Sequence, residues 1–178
     1  MSSNTQNKGL SVRETVLFAM LGTIMFASKI IMEALPNIHL LGTLTMTYTI
    51  VFRKKALIPL YVYVFLNGLY AGFSYWWVPY LYIWTILWGI TMLLPKKMPR
   101  AVAAVVYPLV CGIYGIFFGI LYAPAQAIMF NLDWDGTVAW IIAGLPFDLL
   151  SALGNAVTGL LIVPLSELLN MLYKKQTH

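Results

Sequence analysis

Long apolar stretches alternate with short polar or basic segments over residues 12–172. A helix needs roughly 20 residues to cross about 30 Å of hydrocarbon, because each residue adds about 1.5 Å. The pattern therefore predicts an all-α integral membrane protein with six transmembrane helices. We place the spans at about 12–32, 38–52, 56–73, 80–94, 101–122 and 137–173. The second span is short for a full crossing, and Pro146 and Pro164 interrupt the last.

The ends of two spans carry local signals. Ser11 precedes the first span and is predicted to cap its helix, and Pro124 is predicted to bend the outer end of the fifth. Residues 1–10 form a polar tail that lacks the apolar core and cleavage site of a signal peptide, so we expect the first span to be retained. The whole chain, 1–178, is predicted to form a single membrane domain.

Basic residues occur between the apolar stretches. Ten of the eleven fall into four clusters: Lys8 and Arg13; Arg53, Lys54 and Lys55; Lys96, Lys97 and Arg100; Lys174 and Lys175. Basic loops stay on the cytoplasmic side, so all four clusters and both termini are predicted to be cytoplasmic in a cell membrane. Bases separated by bilayer crossings form no continuous water-exposed face, which argues against a nucleic-acid partner.

Composition supports the membrane class. Apolar residues make up 61% of the chain, charged residues 10%, and the mean hydropathy is +0.81. A soluble domain carries about 25% charged residues, because water must wet its surface.

The chain lacks the common catalytic motifs. It contains no GxxxxGK[ST] phosphate loop, HExxH, GxSxG or CxxC, and only two histidines. We therefore predict no enzyme activity, no catalytic residue, no cofactor and no metal site. Energy for any transport must come from an ion gradient or a partner. An intramembrane enzyme would need converging acid, base or nucleophilic groups, and none is found.

Polar residues within the spans are few. Asp148, Ser151 and Asn155 share one helical face at i, i+3 and i+7. Such groups either line a polar cavity or bond a neighbouring helix. Asn67 and Gln126 belong to the same class with weaker support.

Two further groups lie towards the predicted outer side. Lys29 and Glu33 are one turn apart and form either a compensated interfacial pair or a ligand-facing pair. Aromatic residues concentrate over 70–84, where a headgroup-level belt explains most of them. Trp84 lies deeper than the belt, so it is the better candidate for a ligand pocket.

Small residues form stripes on two helices. Ala19, Thr23 and Ala27 are spaced by four residues on the first span, and Gly115 and Gly119 on the fifth. Such stripes allow another helix to approach closely. Packing within the chain is the simpler interpretation for the fifth span.

Topology and patterning together resemble a known family. A six-helix chain of this size with a small-residue stripe on its first helix resembles the S component, the substrate-binding membrane subunit, of an energy-coupling factor (ECF) vitamin transporter. The stretch 34–44, ALPNIHLLGTL, followed by the basic turn 53–55, is similar to the start of the second span in that family, and so is Trp84 followed by the Pro95 turn.

The resemblance implies a function and partners. Such a subunit binds a vitamin near the outer surface, while a membrane coupling subunit and two cytoplasmic ATPase subunits drive its release inside. Ala19, Thr23 and Ala27 match the family's docking surface for the coupling subunit. The family's ligand position implies five substrate-binding residues here: Trp84, Asp148, Asn155, Asn37 and His39.

The resemblance leaves the ligand open. Cobalamin (vitamin B12) is preferred, because an aromatic rim and few fixed charges suit a large, nearly neutral ligand. Hydroxymethylpyrimidine or another vitamin precursor is the alternative. The alternative of another class is a small membrane scaffold protein without a ligand.

Overall fold

The computed structural model describes residues 10–35 and 38–177, and within these ranges the chain is helical with no β-strand. The all-α prediction is therefore confirmed. Three short 3₁₀ turns, at 32–34, 53–56 and 75–77, connect or extend the longer helices. The eight α-helices, in chain order, are α1 Val12–Ile31, α2 Leu41–Phe52, α3 Leu57–Ala71, α4 Tyr80–Leu93, α5 Arg100–Ile116, α6 Phe118–Phe130, α7 Trp134–Gly159 and α8 Ile162–Thr177.

Three helical segments are long and apolar enough to cross a membrane, namely Val12–Ala34, Arg100–Phe130 and Trp134–Gly159. They correspond to the first, the fifth and part of the sixth predicted span. The remaining predicted spans coincide with shorter helices, so the six-span arrangement and the side on which the termini lie stay predictions.

Side-chain caps fix the starts of two of these segments. The Ser11 hydroxyl accepts from the backbone N–H of Glu14, whose carboxylate in turn accepts from the N–H of Ser11. This reciprocal capping box confirms the predicted cap. The Asp133 carboxylate caps α7 by accepting from the backbone N–H of Gly136 at 2.7 Å. Helix α7 therefore begins at Trp134, before the predicted start at 137.

Of the three prolines that were predicted to bend or interrupt helices, only Pro164 lies at a helix break. Pro124 lies inside α6, and the interruption occurs earlier, at Phe117 between α5 and α6. Pro146 lies inside an unbroken α7. Pro164 lies in the first turn of α8, where its missing N–H has no helical partner to lose.

The stretch 137–173 was predicted as one span, and the structure divides it into α7 and α8. The division falls at Leu160 and Leu161, where the backbone closes turns onto Val157 and Thr158. Leu160 lies four residues before Pro164, and a proline ring excludes the helical carbonyl at i−4, so the predicted interruption by Pro164 accounts for this division.

Helix α2 lies at the centre of the bundle. All residues from 41 to 49 are buried, including Thr43, Thr45, Thr47 and Thr49. It packs against α4 and α8 and also contacts α1, α5 and α7. Its 12 residues span about 18 Å. Other helices therefore surround residues 41–49 of α2.

Glycine allows α5 and α7 to pack closely. A Cβ atom added to Gly115 would lie 2.7 Å from the Cα of Ala152, and the N–H of Gly119 donates to the Asp148 carboxylate at 3.2 Å. The predicted glycine stripe of the fifth span therefore packs within the chain, as the simpler interpretation had it.

Replacing Gly115 with alanine should destabilise the fold. The new methyl group has no room against Ala152, and overpacking of this kind costs about 1–3 kcal/mol. We expect a lower melting temperature in detergent. Gly89→Ala is the matched control, because a Cβ there meets nothing within 4 Å. Equal melting temperatures for the two variants would contradict the close α5–α7 contact.

Side-chain contacts bring the basic clusters to one end of the bundle, here called the basic end: Arg13, 53–55, 96–100 and 174–175. Glu14 at the start of α1 forms an ion pair with Lys55 and accepts from Tyr173 near the end of α8. The hydrogen bond that Lys55 donates to Glu14 raises the pKa of Lys55. Arg53 donates to the carbonyl of Met92 at 2.7 Å. The start of α1 and the end of α8 therefore lie together.

Candidate functional site

Aromatic side chains at the opposite end of the bundle mostly have hydrogen-bond partners. The Trp77 indole N–H donates to the carbonyl of Val64 at 2.8 Å, and the hydroxyls of Tyr82 and Tyr122 each donate to a backbone carbonyl at 2.7 Å. Tyr122 also stacks on Trp140, with ring centroids 6.0 Å apart. This pattern is the expected one, since buried polar groups are nearly always bonded.

Three neighbouring residues break that pattern, and we call them the unpaired cluster: Tyr63, Asn67 and Trp84. Their exposed fractions are 0%, 1% and 2%. Four polar atoms have no hydrogen-bond partner in the described part of the chain: the Tyr63 hydroxyl, both amide atoms of Asn67 and the Trp84 Nε1. Each such atom costs about 1–3 kcal/mol when it is left unsatisfied.

The cluster lies between α3, α4 and α6. Tyr63 and Asn67 are one turn apart on α3, so they share a face. The Trp84 ring on α4 meets the edge of Tyr63 with centroids 6.3 Å apart, and it lies 6.1 Å from Tyr80 and 6.0 Å from Phe118. Unsatisfied donors and acceptors are therefore enclosed by aromatic rings.

The chemistry of the unpaired cluster is neutral. Asn67 offers both a donor and an acceptor, Tyr63 a hydroxyl that can do either, and Trp84 one donor. A flat ligand that presents both donors and acceptors along one edge satisfies such a set, and the rings supply stacking area. A charged ligand group would find no counter-charge among these three residues.

Trp84, as predicted, is buried below the aromatic belt, but the described contacts do not join it to the polar face of α7. No hydrogen bond in the described residues links it to Asp148 or Asn155. The first turn of α6 lies between them: Phe118 contacts Trp84, and Gly119 donates to Asp148. The structure thus gives two polar regions, one on each side of this turn.

The shared face predicted on α7 is present, because Asp148, Ser151 and Asn155 are all buried. One carboxylate oxygen of Asp148 ties α7 to α6 through Gly119, while Oδ2 is buried without a partner in the described residues. The Asn155 amide lies against Gly42 of α2 and Gly115 of α5. Both residues bridge helices, and Asp148 retains an unused acceptor.

The remaining predicted ligand residues precede α2. Asn37 lies outside the described residues. His39 is half-buried, and its Nδ1 is buried without a partner among the described residues. Nearby in sequence, Lys29 and Glu33 form the compensated pair at 3.2 Å, and the Lys29 ammonium lies 5.9 Å from the centre of the Tyr70 ring.

The stripe on α1 faces away from the bundle. Ala19, Thr23 and Ala27 are all exposed. The Thr23 hydroxyl donates to the carbonyl of Ala19 within the helix, so the stripe presents little unsatisfied polarity. Gly22 lies on the inner face, where an added Cβ would be 2.6 Å from Val62 of α3. The stripe therefore has room for a further helix.

Sequence reasoning missed Tyr63 and gave Asn67 little weight. The available signal was a tyrosine and an asparagine one turn apart in the apolar run of α3, so that both lie on one face. Asn67 alone resembles an ordinary interhelical tie.

In the described residues, no group of three or more His, Cys, Asp or Glu side chains could hold a metal ion. The chain matches no family model, no curated protein and no solved structure.

Proposed function

We propose that the chain is the substrate-binding subunit of an ECF-type vitamin importer. The observation that carries the proposal is the unpaired cluster, with four buried polar atoms on Tyr63, Asn67 and Trp84 that lack partners. A ligand that supplies those hydrogen bonds removes an unfavourable term of the empty site, which favours binding. A scaffold protein would gain stability from apolar residues at the same positions.

The cluster favours a small, flat ligand. Tyr63 and Trp84 are sealed between three helices, so a ligand must displace side chains to enter, and a single heterocyclic ring requires far less displacement than a corrin. Hydroxymethylpyrimidine carries ring nitrogens and polar substituents that match Asn67. It is our first candidate for this site, and cobalamin, which the sequence pattern preferred, is the second.

The exposed stripe on α1 supports a membrane partner. Ala19, Thr23 and Ala27 would accept a helix of the coupling subunit, which in turn binds two cytoplasmic ATPase subunits. In this proposal the protein spans the cell membrane six times, and the basic end faces the cytoplasm. The unpaired cluster then lies towards the outer half, where a vitamin arrives.

Thermal stabilisation by vitamins tests the function. The purified chain in detergent is heated with each water-soluble vitamin, with hydroxymethylpyrimidine and with cobalamin. A ligand present at 100 times its Kd stabilises by about 2.7 kcal/mol, so we expect one compound to raise the melting temperature by several degrees.

A second experiment tests the alternative that the chain is a scaffold protein without a ligand. The tagged chain is also isolated from its native membranes to ask whether an ATPase pair accompanies it. Stabilisation by one vitamin together with copurified ATPases supports the importer. Failure of every compound to stabilise the chain, without copurified ATPases, would overturn the proposal in favour of a scaffold.

A further inference from the structure

A cavity of about 360 Å³ opens at the basic end of the bundle, remote from the unpaired cluster. Its walls come from α2, from the segment between α4 and α5, from the first turns of α5, and from α8. Lys96, Lys97 and Arg100 line it on one side. The sequence analysis treated these residues only as a marker of topology.

The positive charge of the side chains that line this cavity exceeds the negative charge of its one carboxylate. Arg100 pairs with Glu167, which also lines the cavity, at 3.3 Å. Lys96 and Lys97 form no ion pair with any acidic side chain in the described residues. Three cationic groups therefore surround one carboxylate, which leaves a net charge of about +2 for an anion to neutralise.

A buried hydroxyl in the same cavity also lacks a partner. Ser166 on α8 lines the cavity, is 8% exposed, and its Oγ has no hydrogen-bond partner in the described part of the chain. A serine hydroxyl donates readily to a phosphate oxygen. This unsatisfied donor lines the same cavity as the two lysines that lack an ion pair, and it points to an anionic oxygen ligand independently of the basic charges.

The apolar part of the wall selects between sources of that anion. Ile50, Val51 and Val163 line the cavity next to the basic groups. A free phosphate ion gains nothing from such a surface, whereas the glycerol and first methylenes of a phospholipid do. Basic pockets between helices at the cytoplasmic end of membrane proteins hold anionic lipid headgroups for this reason.

We propose that this cavity binds the phosphodiester headgroup of an anionic phospholipid. Lys96 and Lys97 neutralise the phosphate, and Ser166 donates to one of its oxygens. Arg100 stays with Glu167. The headgroup joins α8 to the segment between α4 and α5, so its binding stabilises the basic end of the bundle. The site does not depend on the identity of the vitamin.

Lipid binding to the delipidated protein in detergent tests the site. We would titrate phosphatidylglycerol or phosphatidylcholine into the micelles and record melting temperature and, by native mass spectrometry, bound lipid. Phosphatidylglycerol should bind and stabilise, and phosphatidylcholine should not. Each lysine near such a phosphate contributes about 1 kcal/mol, so Lys96→Gln and Lys97→Gln should each lower the affinity roughly fivefold.

Lys54→Gln is the matched control, because Lys54 is an exposed lysine at the same end that does not line the cavity. It should keep wild-type affinity, while Ser166→Ala should weaken binding. Equal binding of both lipids, equal losses in Lys54→Gln and Lys97→Gln, or full displacement of phosphatidylglycerol by inorganic phosphate would each overturn the proposal. Native mass spectrometry counts lipid on folded protein, so a less stable variant still gives a decisive result.

Discussion

Replacing Asn67 with leucine should make the ligand-free protein more stable and should lower its affinity for the ligand. Both amide atoms of Asn67 are buried without partners, so an apolar side chain of similar size relieves about 1–3 kcal/mol in the empty state. Affinity for the stabilising vitamin should fall about tenfold to a hundredfold, because the ligand then loses its hydrogen bonds. The measurements are melting temperature without ligand and Kd by titration calorimetry.

The opposite signs of these two effects separate a binding role from a structural one. Trp84→Phe removes another unpaired donor and should weaken ligand binding as Asn67→Leu does, while the cavity left by the smaller ring offsets its gain in stability. Trp88→Phe is the control: its indole N–H donates to the carbonyl of Arg53 at 3.1 Å, so its loss should reduce stability and leave Kd unchanged. If Asn67→Leu lowers the melting temperature without ligand and leaves Kd unchanged, Asn67 is a structural tie and not a ligand contact.

Leucine at Ala19 or Ala27 should abolish vitamin uptake without weakening vitamin binding. Both alanines lie on the exposed stripe of α1, where added volume holds a partner helix away. Loss of close contact should reduce uptake into cells or proteoliposomes at least tenfold, which corresponds to about 1.4 kcal/mol of docking energy. The Kd of the isolated subunit should stay at its wild-type value.

Ala104→Leu supplies the comparison for this experiment. Ala104 is also an exposed alanine of a long apolar helix, but it lies on α5, away from the stripe. Its replacement adds the same volume and should leave uptake intact. Were Ala19→Leu and Ala104→Leu equally active in uptake, the α1 stripe would not be the docking surface.

Sequence patterns predicted what depends on local chemistry. The Ser11 cap, the shared face of Asp148 and Asn155, and the internal packing of Gly115 each follow from spacing along one helix. Helix breaks were predicted only in part: Pro164 follows the division between α7 and α8 directly, but the other two prolines break no helix. Pro146 and Pro124 lie within helices, whereas the chain breaks at Phe117 and near Leu160.

The unpaired cluster could not be predicted because it depends on two helices at once. A tyrosine such as Tyr63 usually finds a partner on a neighbouring helix, and nothing local shows that it does not. The pattern also cannot tell a helix that faces lipid from one that faces protein, since both surroundings are apolar. The enclosure of residues 41–49 of α2 is for that reason visible only in the assembled structure.

The enclosure of α2 has a consequence for biosynthesis. Two of the helices that cover it, α4 and α8, are synthesised after it. Until then, one side of the threonine-rich α2 lacks its protein neighbour. Closure of the bundle must therefore wait for the synthesis of α8. A chain truncated before Ile162 leaves this side of α2 uncovered and should not reach the closed fold.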